Sequence, residues 1–148
     1  MTTADFATMP GHLIRRMNQL STALFRERMS ASGLDLTPVQ FAVMSVLDEA
    51  GETDQAKLAA RVAYDKVTIG GVVDRLVAKG MVDRRPSRTD RRAKALRLTQ
   101  NGIVLLDRAR PTVRDMQDEL LARLSPDEAA TLSALLAKAT GASETRLP

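Results

Sequence analysis

The chain contains no cysteine. That absence removes disulfides, thiolate nucleophiles, thiolate metal sites and thiol-based peroxide sensing together. Histidine is almost as scarce. With His12 alone, no His-rich metal site can be built within one chain. No Ser-His-Asp or Cys-His set and no Walker-type glycine loop is present either, so the sequence gives no support to an enzyme. The aromatics are only Phe6, Phe25, Phe41 and Tyr64, too few for the stacking platforms of single-strand or RNA binders. No apolar run approaches bilayer-spanning length. The opening MTTADFATMPGH lacks the basic region and apolar stretch of a secretory signal. The expectation is a cytoplasmic protein without cofactor, metal or membrane contact.

What is present is concentrated. Residues 84–97 (RRPSRTDRRAKALR) hold six arginines and one lysine against one acid, Asp90. That local charge is +6, whereas the whole chain carries +4, so the rest of the molecule is slightly acidic. Polyanion backbones reward clustered Lys and Arg through counterion release, so the stripe points to nucleic acid. The plainer reading is a solvated basic loop.

The 148 residues fit one domain with a real core. Residues 1–9 are polar and irregular and read as a frayed end. Pro10 and Gly11 open a helix over 10–31, with Leu13, Met17, Leu20, Leu24 and Met29 at helical spacing. Thr37-Pro38-Val39-Gln40 carries a Thr cap, Pro at the first helical position and Gln at the third, and predicts a second helix ending at Gly51. A short helix over 54–62 and another, capped by Asp65 and ending at Gly80, are separated by a brief turn, the helix-turn-helix arrangement. Ile69, Val73, Leu76 and Val77 form the apolar face of the second. Strand-like runs at 81–85 and 93–98 flank a turn and predict an arginine-tipped hairpin, or wing. Thr99 caps a helix over 100–124, with Pro111 expected to kink it, and Ser125-Pro126 opens a last helix ending near Gly141. The fold class is therefore mainly α with one small β-hairpin.

This order of elements suits double-stranded DNA. A helix enters the major groove, about 12 Å wide, where Lys and Arg reach guanine edges and Thr meets a thymine methyl or a phosphate. Lys66, Thr68, Gly70, Gly71 and Arg75 are the candidates on the recognition helix. Arg84, Arg88, Asp90, Arg91, Arg92 and Lys94 are the candidates on the wing, which can place an arginine in the narrow minor groove. Asp90 has two readings: a turn former, or a carboxylate that fixes an arginine rotamer. Gly70 and Gly71 each cost about 1 kcal/mol relative to Ala inside a helix. Either DNA backbone approaches there, or a neighbouring element packs tightly.

The segment 54–102 resembles the winged helix-turn-helix core of the MarR (multiple antibiotic resistance) family of bacterial transcriptional regulators. Leu36–Leu47 (LTPVQFAVMSVL) and the flanking helices fit as well, so the resemblance covers about residues 10–138. Its most specific part is Asp90-Arg91-Arg92-Ala93-Lys94 followed by Leu98-Thr99-x-x-Gly102. The resemblance implies a homodimer in which residues 10–32 and 103–140 form a dimerisation region beside a winged lobe over 36–102. The apolar faces at 13–24 and 120–136 would be partner surfaces as well as core; the plainer reading is packing within one chain alone. Arg92 would be the minor-groove arginine and Asp90 its positioner. Gly70-Gly71 departs from the polar or basic residues that the family often has there.

Pro10-Gly11-His12-Leu13-Ile14-Arg15-Arg16 resembles the branch that controls breakdown of aromatic and other small carboxylic acids, nicotinate included. His12 and Arg16 share a helix face, and Arg15 is three residues from His12. Arg can grip a carboxylate in bidentate fashion and His can donate to it. The expected anion site is His12, Arg15 and Arg16, with Phe41 and Met44 as its apolar wall; the plainer reading leaves Arg15 and Arg16 solvated and His12 a first-turn residue near a satisfied backbone. The implied function is a repressor released from a pseudo-palindromic operator by a small anionic effector. The alternative is a constitutive or architectural DNA binder.

Overall fold

The computed structural model describes residues 5–89, 92 and 94–142. Six helices surround a small sheet: α1 (Pro10–Ala31), α2 (Pro38–Ala50), α3 (Gln55–Val62), α4 (Lys66–Ala78), α5 (Gln100–Leu120) and α6 (Pro126–Ala139). The strands are β1 (Thr53–Asp54), β2 (Val82–Pro86) and β3 (Lys94–Leu98), in the order β1-β3-β2. The mainly α winged-helix class is as expected.

Local chemistry sets most of the boundaries. Thr37 and Gln40 form a reciprocal capping box at α2, and Ser125 and Glu128 form another at α6. Asp54, Asp65 and Thr99 cap α3, α4 and α5 through side-chain oxygens. α4 ends where Gly80, at φ 77°, lets Met81 N–H reach back to the Leu76 carbonyl. The wing begins at once.

Four boundaries differ from the sequence expectation. Residues 6–8 form a short 3-10 helix capped by Asp5, so this stretch is not frayed. The first wing strand starts one residue later than expected, at Val82, and Ala93, the expected start of the second, lies outside the described residues. β1 is a third strand with no counterpart in the expected hairpin. It pairs Thr53 with Leu96 and Asp54 with Ala95, and Asp54 also caps α3. α5 stops at Leu120, before the expected 124, and a turn closed by Leu124 N–H on the Leu121 carbonyl leads into α6. Pro111 lies inside α5 without ending it.

The core lies within the winged lobe and continues onto α1 and α5. Leu47 of α2, Leu58 of α3, Ile69 and Leu76 of α4, Leu96 of β3 and Leu106 of α5 are all essentially without solvent contact. Each such side chain contributes about 1.5–3 kcal/mol on burial. One glycine locks the wing to the long helix. A Cβ on Gly102 would stand 2.1 Å from the Met81 carbonyl oxygen. Beside it, Thr99 Oγ1 donates to the Gly80 carbonyl at 2.6 Å and accepts from Gly102 N–H at 3.0 Å. The Leu98-Thr99-x-x-Gly102 motif is therefore a strand-to-helix junction that only glycine can fill.

Candidate nucleic-acid interface

α4 presents two different faces because its sequence alternates at helical spacing. Ile69, Val72, Val73 and Leu76 turn into the core. Lys66, Thr68, Gly71 and Arg75 face outward, and Gly70 is half-buried. At the helix start, Asp65 accepts Thr68 N–H at 2.8 Å and the Thr68 hydroxyl at 2.7 Å. These bonds, the hydroxyl first, hold the Asp65 carboxyl below its ordinary range. The hydroxyl hydrogen of Thr68 is thus already committed within the helix. Val67, which the sequence reading left out, is 86% exposed.

The two glycines separate. A Cβ on Gly70 would meet Gln55 Nε2 at 3.0 Å, and that amide also donates to the Lys66 carbonyl. Gly70 is therefore accounted for by packing against α3. A Cβ on Gly71 would meet nothing within 4 Å.

The wing rises beside α4 on a five-pair antiparallel ladder, from Val82 opposite Leu98 to Pro86 opposite Lys94. Pro86 is tolerated because β2 is an edge strand. Arg88, Arg92 and Lys94 are exposed. Ser87 and Thr89 bond across the turn at 3.1 Å. Asp90 and Arg91 lie outside the described residues. Arg84 is placed differently from an open DNA-facing arginine. Its guanidinium donates to Asp74 of α4 at 2.6 Å, and its side chain is only 28% exposed. In this position it is a strut between wing and recognition helix. Arg85 likewise bonds Asp83, at 2.9 Å. A crevice of about 700 Å³ separates α4 from the wing, with Lys66, Arg84, Arg92 and Lys94 among its walls and Asp74 on the helix side.

The second candidate site lies at the start of α1. Arg15 Nη2 stands 3.1 Å from His12 Nδ1. Arginine has only donors to offer, so Nδ1 is the acceptor in this contact. The Phe6 ring packs on the His12 ring at 4.4 Å between centroids. The sequence reading missed Phe6 because it lies in a stretch with no helical spacing. Arg16 is exposed. Phe41 is half-buried and meets Phe25 edge-on at 6.2 Å. Met44 is wholly within the core. No cluster of metal-ligating side chains occurs among the described residues, and no described helix is long and apolar enough to cross a membrane.

Comparison with known proteins places this geometry. The profile described as MarR family matches residues 34–93, the lobe from the end of the first loop to the wing. The HTH-type transcriptional repressor NicR of Pseudomonas putida is 34% identical over 134 residues, covering 90% of this chain and 84% of the relative. Among solved structures, BpsR of Bordetella bronchiseptica, whose DNA binding is regulated by 6-hydroxynicotinic acid, superposes with a TM-score of 0.86. It is 29% identical, with 92% of this chain and 96% of that one covered. A MarR variant from Escherichia coli complexed with operator DNA gives 0.83 at 33% identity, with 92% and 99% covered.

Proposed function

Since the chain belongs to the MarR family of DNA-binding transcriptional regulators, we propose that it represses transcription as a cytoplasmic homodimer on a pseudo-palindromic operator and is released by a small aromatic carboxylate of the hydroxynicotinate kind. The recognition helices of two chains would enter successive major grooves about 34 Å apart. Arg88, Arg91, Arg92 and Lys94 would follow the flanking backbone and minor groove, with Asp90 positioning Arg92. Lys66, Thr68 and Arg75 would face the major groove.

The observation that carries the effector half is the Phe6–His12–Arg15 cluster. It combines a flat aromatic surface, an imidazole N–H and a guanidinium with donors to spare. Those groups match a ring bearing a carboxylate. NicR and BpsR, one by its name as a repressor and the other by its hydroxynicotinate response, fit the same reading. Arg16 and Phe41 stand as outer members of the site.

Release needs differential affinity. An effector that weakens operator binding a hundredfold must bind the DNA-free form a hundredfold tighter, about 2.7 kcal/mol of coupling. The test is fluorescence anisotropy on the chain's own upstream intergenic DNA with a panel of aromatic carboxylates, 6-hydroxynicotinate included. Expected is tight binding released by one acid, with release lost in His12→Ala and Arg15→Ala. Tight binding that no acid disturbs would establish the constitutive binder instead.

A further inference from the structure

The start of α4 offers an apolar group where a DNA-facing helix would ordinarily be expected to offer polar ones. Val67 is the most exposed of the large hydrophobic side chains that stand out from the surface, at 86%. It sits in the first turn of α4, between Lys66 and the Asp65–Thr68 pair. A single exposed valine is unremarkable on most surfaces. Three further facts make this one informative.

First, a β-branched residue is not a favoured exposed helix former, so local helix stability does not account for it. Second, Gly71 lies one turn further along, on the same face as Val67. Its Cβ position is open space, and alanine there would favour the helix. Unlike Gly70, it has no packing reason among the described residues to be glycine. A bare backbone beside an exposed isopropyl group leaves a shallow apolar notch. Third, the hydroxyl of Thr68 is already given to Asp65, so beside Val67 side-chain donation toward DNA falls to Lys66 rather than to Thr68.

The apolar group on the floor of the major groove is the 5-methyl of thymine. We propose that Val67 and Gly71 form a notch that reads a thymine methyl, with Val67 supplying the contact and Gly71 the room for close approach. This rests on the reading of α4 as the recognition helix and adds base preference to it.

The test uses the full chain and the best double-stranded sites selected from random DNA. Each thymine of the site is replaced singly by deoxyuridine, which keeps base pairing and removes only the methyl. Affinity should fall about three- to tenfold at one symmetry-related pair of positions, the scale of one buried methyl and its lost packing. Val67→Ala should bind thymine and deoxyuridine forms alike at those positions. Gly71→Ala should melt at a higher temperature than wild type and yet bind the site more weakly. Circular dichroism of the same samples checks that both variants are folded. Equal affinity for all deoxyuridine sites, or an unchanged thymine preference in Val67→Ala, overturns the notch while leaving operator binding intact. Failure to select any sequence overturns operator recognition and the notch with it.

Discussion

The winged lobe and the terminal helices are built to different rules. In the lobe, α2 and α4 each bury four side chains, and even the eight-residue α3 buries Leu58 and Ala59. α1 has 22 residues but buries only Phe25 and Met29, both near its C-terminal end. α6 buries none. Leu13, Ile14, Leu20, Leu135 and Leu136 are left in solvent, Leu20 and Leu135 at 58% each. The lobe is complete within one chain. Among the described residues, α1 and α6 leave apolar side chains uncovered, whereas α5 buries Leu106, Ala109 and Met116; uncovered faces of that kind are what the proposed dimer would use.

The largest effect expected from breaking this contrast is in the lobe. Leu58→Ala should lose about 2–5 kcal/mol of stability, read from chemical denaturation. Leu135→Ala, made on an exposed face, should cost a single chain under about 0.5 kcal/mol. A loss above 2 kcal/mol that also depends on protein concentration would place Leu135 in a subunit interface, which is the outcome expected here.

Charge sharpens the contrast next. Leu20→Glu combined with Leu135→Glu should shift the chain toward monomer in analytical ultracentrifugation while leaving far-UV circular dichroism nearly unchanged. An unaltered dimer would show that these faces are not the partner surface.

Acid should act on both regions, through Asp65 in the lobe and through two glutamates at the ends. Arg28 binds Glu119 across α1 and α5, with Nε–Oε2 at 2.9 Å, and this pair holds the Glu119 carboxyl below its ordinary value. Ser125 N–H does the same to Glu128 at the start of α6. A depressed carboxyl stabilises the fold fully above its unfolded value. That contribution is lost as pH falls from the ordinary Glu value of 4.5 through the lower folded one. Stability should therefore drop below about pH 4.5, and Glu119→Gln should flatten the drop. A Glu119→Gln profile that overlays wild type would discard the pair as a contributor.

The smallest effect belongs to the turn between α3 and α4. Ala63 sits at φ 59°, a left-handed conformation that costs an L residue about 1–2 kcal/mol. Ala63→Gly should gain a few tenths to about 1 kcal/mol, because glycine's extra unfolded-state entropy offsets part of the relief. A loss of stability would mean that the methyl group makes a contact outweighing the strain.

Much of this architecture is written locally. The Thr37-Pro38-x-Gln40 and Ser125-Pro126-x-Glu128 boxes, the Asp65 cap and the basic turn each declare themselves within four or five residues. What the sequence hides is pairing at a distance. β1 is two residues long and exists only because β3, some forty positions on, offers an edge. The Arg84–Asp74 strut depends on how the wing packs against α4. Gly70 and Gly71 look alike in sequence, and only Gln55 from α3 tells them apart. Phe6 joins His12 because a 3-10 turn folds it back onto α1.

Under the proposed function the labour of one chain is divided: the lobe would read DNA, and the ends would join two lobes at a fixed spacing. Native mass spectrometry of the chain with a selected duplex tests both halves at once. Two chains per duplex, with one-chain complexes absent across a tenfold dilution, is the predicted result. A stable complex of one chain with one duplex would contradict it.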